Sequence, residues 1–223
     1  MEKQWFIADN DLSRARELAR DLRVSPITAS LLINRGLEGT SSASRFLSPN
    51  LNHLTPPEED DHLRGAATFM HDAVQDGRSI TIFGDYDADG ICATALLVRC
   101  LRLLDAEVDY YIPERSGEGY GLNTDAVREV ADDGTDVLVT VDCGVTAFEE
   151  VSLARELGME VIVTDHHEPL EQRPDATHVL NPKLPDAGFG SDKLAGAGVA
   201  FKLAWAVGQQ AGNGESVPEF YRD

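Results

Sequence analysis

From Ser79 onward, the chain alternates between apolar segments rich in β-branched residues and segments of helix-forming residues. Strands that alternate with helices form crossover units, which produce a parallel sheet with helices on both faces. The sequence therefore predicts an α/β fold with a doubly wound, largely parallel sheet. The predicted strands are Ser79–Phe83, Val108–Ile112, Val137–Val141, Glu160–Thr164 and Thr177–Leu180, and the predicted helices are Ile91–Leu104, Thr124–Asp132, Ala147–Leu157 and Ala195–Gln209.

The segment before Ser79 has helical periodicity and no alternating strand pattern. Helices are predicted over Asp11–Arg23, from Ser25-Pro26 onward, over Ser41–Leu47 and over His62–Gln75. The proline-rich, acidic run Thr55–Asp61 predicts a joint. We therefore expect a small helical region at residues 1–60 and an α/β domain at residues 61–223.

The composition argues against a membrane-spanning protein and against a disulfide-rich protein. A chain of 223 residues with 42% hydrophobic residues can bury a substantial core, and it contains no apolar run of the ~20 residues that span a bilayer. A net charge of −20 argues against nucleic-acid binding through a broad basic surface, although it leaves room for a local groove or a metal-mediated contact. The three cysteines have no C-x-x-C spacing, which favours reduced thiols. We therefore expect a cytoplasmic protein that has no membrane partner.

Acidic and imidazole side chains follow three of the predicted strands. These segments are Asp85-Tyr86-Asp87, Asp142-Cys143-Gly144 and Asp165-His166-His167. Because the carboxyl ends of parallel strands lie at one edge of a sheet, we expect these side chains to converge there. Carboxylates this close repel each other unless a cation lies among them. The mixture of oxygen and imidazole donors suits Mn²⁺ or Mg²⁺ better than zinc, and it is sufficient for two ions of the kind that assist phosphoester cleavage.

Several of these residues have a second interpretation. Asp89, together with its neighbouring aspartates, is also typical of a solvated turn that caps the next helix. Asp165 suits a position behind the metal ligands, where it would orient a histidine. One histidine of the adjacent pair, His167, often points away from a metal and would then contact phosphate. Isolated histidines in the helical region are more typical of structural or surface positions; these are His53, His62 and His71.

The same motifs resemble those of the DHH phosphoesterase superfamily. The resemblance is carried by Asp85-Tyr86-Asp87-Ala88-Asp89-Gly90, Val141-Asp142-Cys143-Gly144 and Asp165-His166-His167, and is supported by segments such as Arg45-Phe46-Leu47-Ser48-Pro49, Asn181-Pro182-Lys183 and Ala195-Gly196-Ala197-Gly198. It implies that Asp85, Asp87, Asp142 and His166 are ligands of one or two Mn²⁺ or Mg²⁺ ions. It also implies that His167 lies beside the phosphate to be cleaved.

Within the superfamily, the segments resemble the N-terminal part of the RecJ family of single-stranded-DNA-specific exonucleases. The resemblance implies hydrolysis of single-stranded DNA from the 5′ end, in DNA repair and recombination, with a single-strand-binding protein and a helicase as partners. Two alternatives stay open. One is a DHH phosphodiesterase for short oligonucleotides or cyclic dinucleotides, and the other is a non-catalytic scaffold associated with replication.

The resemblance has gaps as well. The family's fourth motif, which supplies a further metal-binding aspartate, has no convincing counterpart after Asp165-His166-His167. We therefore expect the 223 residues to stop before it and to have little or no exonuclease activity alone. Arg115, which follows a predicted strand, is either a ligand of the substrate phosphate or an ordinary surface arginine. Gly196 and Gly198 indicate either a phosphate-binding helix start or close packing of a helix on the sheet.

Overall fold

The computed structural model describes residues 11–114 and 121–212, and its contacts divide the chain into two compact units, Met1–Leu54 and Thr55–Asp223. Among the described residues, no helix is both long and apolar enough to cross a membrane.

The first unit contains three short helices, α1 (Leu12–Leu22), α2 (Pro26–Ile33) and α3 (Thr40–Leu47), followed by a 3-10 turn at Leu51–His53. The Asp11 side chain accepts hydrogen bonds from the backbone N–H groups of Ser13 and Arg14, so it caps α1 as its position predicts. Ser25 caps α2, and Pro26 occupies the first turn. A small core holds the helices together; its buried members are Ala15, Leu18, Ala19, Ala29, Leu32 and Ala43.

The second unit is a five-stranded parallel sheet with helices on both faces, which confirms the predicted fold class. Its strands are β1 (Ile80–Gly84), β2 (Val108–Tyr111), β3 (Val137–Val141), β4 (Glu160–Thr164) and β5 (His178–Leu180), in the spatial order β2-β1-β3-β4-β5. Its helices are α4 (Asp61–Gln75), α5 (Ala88–Arg102), α6 (Thr124–Asp132), α7 (Phe148–Glu156) and α8 (Gly196–Ala211), with a 3-10 turn at Pro57–Glu59.

Alternate side chains of the strands face two separate cores. Ile80 and Ile82 of β1 pack with α4, α5 and α8 on one face of the sheet. Phe83 of β1 packs with α6 and α7 on the other face. Most buried strand residues are apolar and β-branched because both sides of a parallel sheet are covered.

Helix α5 begins three residues earlier than its predicted start at Ile91. The Asp87 side chain accepts hydrogen bonds from the N–H groups of Asp89 (2.8 Å) and Gly90 (3.0 Å), and so acts as the N-cap. The sequence prediction was wrong here because it assigned Asp89 and Gly90 to a loop, whereas both belong to the first turn of the helix. The carboxylate of Asp87 is therefore fixed at the junction of β1 and α5.

Asp60 anchors the start of α4. Its side chain is buried and accepts hydrogen bonds from the N–H groups of His62 (2.8 Å) and Leu63 (3.0 Å) in α4. It also accepts a hydrogen bond of 2.6 Å from Gly188, in the loop that precedes α8. One carboxylate thus joins two segments that are distant in the sequence.

We expect Asp60→Ala to lower the free energy of unfolding by about 3 kcal/mol, because three N–H groups, one buried and two half-buried, lose their acceptor. Asn123→Ala is the matched control, since Asn123 caps α6 through a single hydrogen bond, from Ala126, and its loss should cost about 1 kcal/mol. Urea denaturation monitored by circular dichroism measures both variants. If the two variants lost the same free energy of unfolding, the anchoring role of Asp60 would be contradicted.

Candidate metal centre

The candidate site lies where the order of the strands reverses. β1 pairs with β2 on one side and with β3 on the other, so the chain leaves the sheet in opposite directions after β1 and β3. A crevice forms outside the carboxyl ends of two such strands, and this is where ligands bind in sheets of this order. Asp85 follows β1 and Asp142 follows β3, so both carboxylates lie at this point.

Asp85 and Asp142 are both buried, with exposed fractions of 0% and 1%. Asp85 Oδ1 accepts a hydrogen bond from the N–H of Tyr86 (2.7 Å), but Asp85 Oδ2 has no hydrogen-bond partner among the described residues. Asp142 Oδ1 is likewise without an aligned donor, although His166 Nε2 lies 3.0 Å from it. Buried oxygens without partners are costly, and a bound cation would satisfy them.

The electrostatic consequence is largest at Asp142. Burial, followed by the negative charges of Asp89 and Asp87, raises the pKa of Asp142 to about 7. Burial also raises the pKa of Asp85, and the neighbouring Asp87 adds to that effect. Without a cation, the fold therefore favours the protonated form of both groups.

The backbone at Asp142 has an unusual conformation. Its φ angle is 62°, in the left-handed region that residues other than glycine rarely adopt. The N–H of Asp142 donates to Thr164 O of β4 (3.0 Å), which holds the turn against the next strand. Strain of this kind persists only where the surrounding structure enforces it, and it is concentrated at functional sites.

Asp89, in the first turn of α5, contacts the start of α8. Its two carboxylate oxygens accept hydrogen bonds from the N–H groups of Gly196 (2.7 Å) and Ala197 (2.8 Å). Asp89 Oδ2 is also 3.6 Å from His166 Nε2. The start of α8 is thus capped by a carboxylate of the protein, so the N–H groups of Gly196 and Ala197 already have an anionic partner.

Gly196 is required for packing. A Cβ atom at this position would collide with the carboxylate of Asp142, whereas a Cβ at Gly198 would meet only the Leu194 side chain, at 3.3 Å. Of the two interpretations of these glycines, the structure supports close packing of the helix for Gly196.

Asp165 orients His167. Asp165 Oδ1 lies 2.7 Å from His167 Nδ1 and accepts the N–H groups of His166 and His167, while Oδ2 accepts the N–H of Val145 (2.9 Å). Because a carboxylate only accepts hydrogen bonds, His167 Nδ1 carries the proton. In such pairs the histidine is typically a metal ligand through its other nitrogen, and the carboxylate orients it from behind.

A further residue was missed as a site residue in the sequence analysis. Asn181 follows β5, is fully buried, and donates its side-chain amide to His167 O (2.9 Å). It is the polar residue at the end of a fourth strand, so the rule that identified the other strand ends would have found it. Arg115 lies outside the described residues, and its proposed contact with phosphate stays a prediction.

Among the residues that the structure describes, two groups of side chains have the spacing needed to hold a metal ion. One group is Asp85, Asp87 and Asp142, and the other is Asp142, His166 and His167; within each group, the donor atoms lie within 4.8 Å of one another. Asp142 belongs to both groups. The donors and the unpartnered oxygens fit hard divalent cations such as Mn²⁺ or Mg²⁺.

A parallel α/β domain with carboxylates and histidines gathered at its switch point is an arrangement that suits the class of metal-dependent phosphoesterases. Comparison with known families agrees, because residues 79–222 match the model of the "DHH family, N-terminal domain". The chain belongs to the DHH family.

Similar proteins include several RecJ exonucleases. The single-stranded-DNA-specific exonuclease RecJ of Bacillus subtilis (strain 168) is 40% identical over 204 residues, which are 92% of this chain and 26% of that protein. The RecJ of Thermus thermophilus is 41% identical over 202 residues, which are 90% of this chain and 28% of that protein. A crystal structure of the T. thermophilus protein in complex with Mn²⁺ aligns with a TM-score of 0.71 at 37% identity, over 92% of this chain and 28% of that one. The chain therefore spans about a quarter of the length of these relatives.

The raised pKa of Asp142 leads to a prediction about stability and pH. Because the folded-state pKa of about 7 is above the ordinary value of 3.8, the folded protein binds the proton more tightly than the unfolded chain does. In EDTA, this carboxyl group should therefore lower the free energy of unfolding as the pH rises from 5 to 8, by an amount on the order of 3 kcal/mol. Saturating Mg²⁺ should abolish the decrease.

Asp142→Asn isolates this contribution, because asparagine has the same shape and does not titrate. The comparison matters because burial lowers the pKa of His178, which gives the opposite pH dependence in the same range. We expect the variant to be more stable than the wild type at pH 8 in EDTA, as measured by urea denaturation. A difference between the two proteins that is independent of pH would contradict the predicted titration of Asp142.

The packing of α8 gives a second prediction for this site. Gly196→Ala should reduce affinity for Mn²⁺ at least tenfold, because the added methyl group displaces the Asp142 carboxylate. Gly198→Ala is the matched control in the same helix, and it should leave both affinity and folding nearly unchanged, since alanine favours helix. Isothermal titration with Mn²⁺ measures the affinity, and equal affinities of the two variants would contradict the role of Gly196.

Proposed function

We propose that Asp85, Asp87, Asp142 and His166 hold divalent metal ions in a phosphodiester hydrolase that acts on single-stranded DNA. The observation that supports this proposal most strongly is the position of Asp142 in both groups of potential ligands. A carboxylate shared by two groups suits two neighbouring ions. When bound, such ions activate water and stabilise the leaving oxygen of a phosphoester.

The roles of the surrounding residues follow from their contacts. Asp165 holds the proton on His167 Nδ1 and so orients the ring, and we propose that Nε2 contacts either a metal ion or, when it is protonated, the substrate phosphate. Asn181 holds the main chain of the segment Asp165–His167 by donating a hydrogen bond to the carbonyl oxygen of His167. Asp89 keeps the start of α8 against Asp142 and lies beside His166. Arg115 is proposed as an additional ligand of the substrate phosphate.

The activity of the complete protein is proposed from its relatives. Those named above are single-stranded-DNA-specific exonucleases, and one was crystallised with Mn²⁺. We propose the same reaction here, proceeding from the 5′ end, in DNA repair and recombination, with a single-strand-binding protein and a helicase as partners. A cytoplasmic location is part of the proposal, and it is consistent with three cysteines that form no disulfide.

Metal binding is tested first. Mn²⁺ at about one hundred times its dissociation constant should raise the free energy of unfolding by about 2.7 kcal/mol, because it binds only the folded state. Asp87→Asn should remove most of this gain. Asp109→Asn, at an exposed acidic residue of β2, is the control and should retain it. An equal response of both variants would rule out Asp87 as a ligand.

Cleavage is tested with the protein in molar excess over 5′-labelled DNA, because a chain of net charge −20 repels a polyanion and the expected rate is low. We expect Mn²⁺-dependent shortening of single strands, no attack on duplex, and no reaction with Asp142→Asn. Equal cleavage of duplex DNA, or cleavage of single strands that Asp142→Asn retains, would contradict the exonuclease proposal, and the metal site would then be judged by the Mn²⁺ titration alone.

A further inference from the structure

The helical unit has a charge opposite to that of the rest of the chain. Residues 1–54 contain six arginines, one lysine and six acidic residues, which gives a net charge of +1. The other residues together have a net charge of −21, since the whole chain has −20. The unit with a net positive charge therefore contains none of the candidate metal ligands.

The charges around α1 are further divided between two sides of the helix. One cleft beside α1 is lined by Arg14 together with acidic residues, and Arg14 forms an ion pair of 3.3 Å with Glu38. The acidic residues that line this cleft are Glu17, Asp21 and Glu38. On this side of α1, the charge of Arg14 is therefore outweighed by the acidic side chains.

The other cleft, here called the Arg16–Arg20 cleft, is lined by Ser13, Arg16, Ala19, Arg20, Val24 and Pro26 and has a volume of about 620 Å³. No carboxylate lines it, and neither arginine forms an ion pair with another described residue. Both arginines are exposed, and a spacing of four residues places them side by side on the helix. The nearby Asp11 carboxylate is occupied by its hydrogen bonds to Ser13 and Arg14 at the start of α1.

We propose that the Arg16–Arg20 cleft binds the phosphodiester backbone of single-stranded DNA, as a docking site separate from the metal centre. The choice of DNA as the ligand rests on the proposed function. Guanidinium groups bind phosphate oxygens through paired hydrogen bonds and stay charged at every physiological pH. Ala19, Val24 and Pro26 supply an apolar floor against which sugars and bases can pack.

The electrostatics of the chain explain why such a site is needed. The α/β unit carries the cluster of carboxylates and most of the negative charge, so it repels a polyanion at long range. A basic cleft in the same chain makes the second binding step intramolecular and so raises the effective concentration of the strand for the metal centre. An acidic peptide is a poorer occupant, because the main-chain groups along α1 are engaged in the helix and offer a peptide no backbone pairing.

The test is the salt dependence of DNA binding by the full 223-residue chain. A fluorescent oligo-dT is titrated in EDTA, so that neither metal binding nor cleavage contributes. The double variant Arg16→Gln/Arg20→Gln should bind at least tenfold more weakly at low salt. The slope of log K against log salt should become shallower by about 1.4, since each lost phosphate contact removes about 0.7 for a single strand.

Arg14→Gln is the matched control, because it removes the same charge from the same helix but on the side paired with Glu38. It should change affinity less than twofold, and circular dichroism should show all variants folded. The proposal is overturned if Arg14→Gln and each single cleft variant, Arg16→Gln or Arg20→Gln, weaken binding equally. It is also overturned if wild-type chain does not bind oligo-dT at low salt, or if a poly-aspartate peptide of equal charge binds more tightly than DNA.

The two proposals fail separately. Loss of Mn²⁺-dependent cleavage in Asp142→Asn with unchanged binding of oligo-dT in EDTA assigns cleavage to the metal centre and binding to the cleft. Absence of Mn²⁺ binding with intact, arginine-dependent DNA binding would refute the proposed hydrolase and leave the cleft supported.

Discussion

Repulsion among carboxylates at the end of β1 and β3 is the constraint to which the rest of the domain is adapted. Asp85 and Asp142 are buried, each has an oxygen that accepts no hydrogen bond from the described residues, and Asp87 and Asp89 add negative charge beside them. Nothing in the local sequence favours this arrangement. It persists because fully buried strands fix both backbones and because α8 packs directly against Asp142. The energy stored in this way is what a divalent cation recovers when it binds.

The polar residues around the carboxylate cluster form hydrogen bonds that connect neighbouring segments of the chain. Asp165, after β4, accepts a hydrogen bond from the N–H of Val145, after β3. Asn181, after β5, donates a hydrogen bond to the carbonyl oxygen of His167, after β4. Asp89 connects α5 to α8. Hydrogen bonds therefore connect the ends of β3, β4 and β5 to one another, and the segment after β1 to α8. This interlocking provides the rigidity that precise placement of metal ligands requires.

The sequence predicts most of the fold because the sheet is buried on both sides. Runs of β-branched residues such as Val137–Val141 and Glu160–Thr164 have no other stable environment, and their bounds agree with the structure. The convergence of the strand ends follows from the rule for parallel sheets. The φ angle of Asp142 and the pairing of Asp89 with Gly196 could not be predicted, because both arise from packing between segments far apart in the chain. For the same reason, the sequence left open which histidine Asp165 orients.

The left-handed backbone at Asp142 has an evolutionary consequence. Asparagine and aspartate are the residues other than glycine that tolerate this conformation best, and one base change in the codon separates them. A gene copy freed from selection for catalysis could therefore lose its central carboxylate in one step and gain stability from the loss. Selection for folding alone would favour inert descendants that keep the whole architecture. Mutation therefore tends to remove this carboxylate wherever selection for activity is relaxed. A family with such a site is expected to produce inactive scaffolds repeatedly.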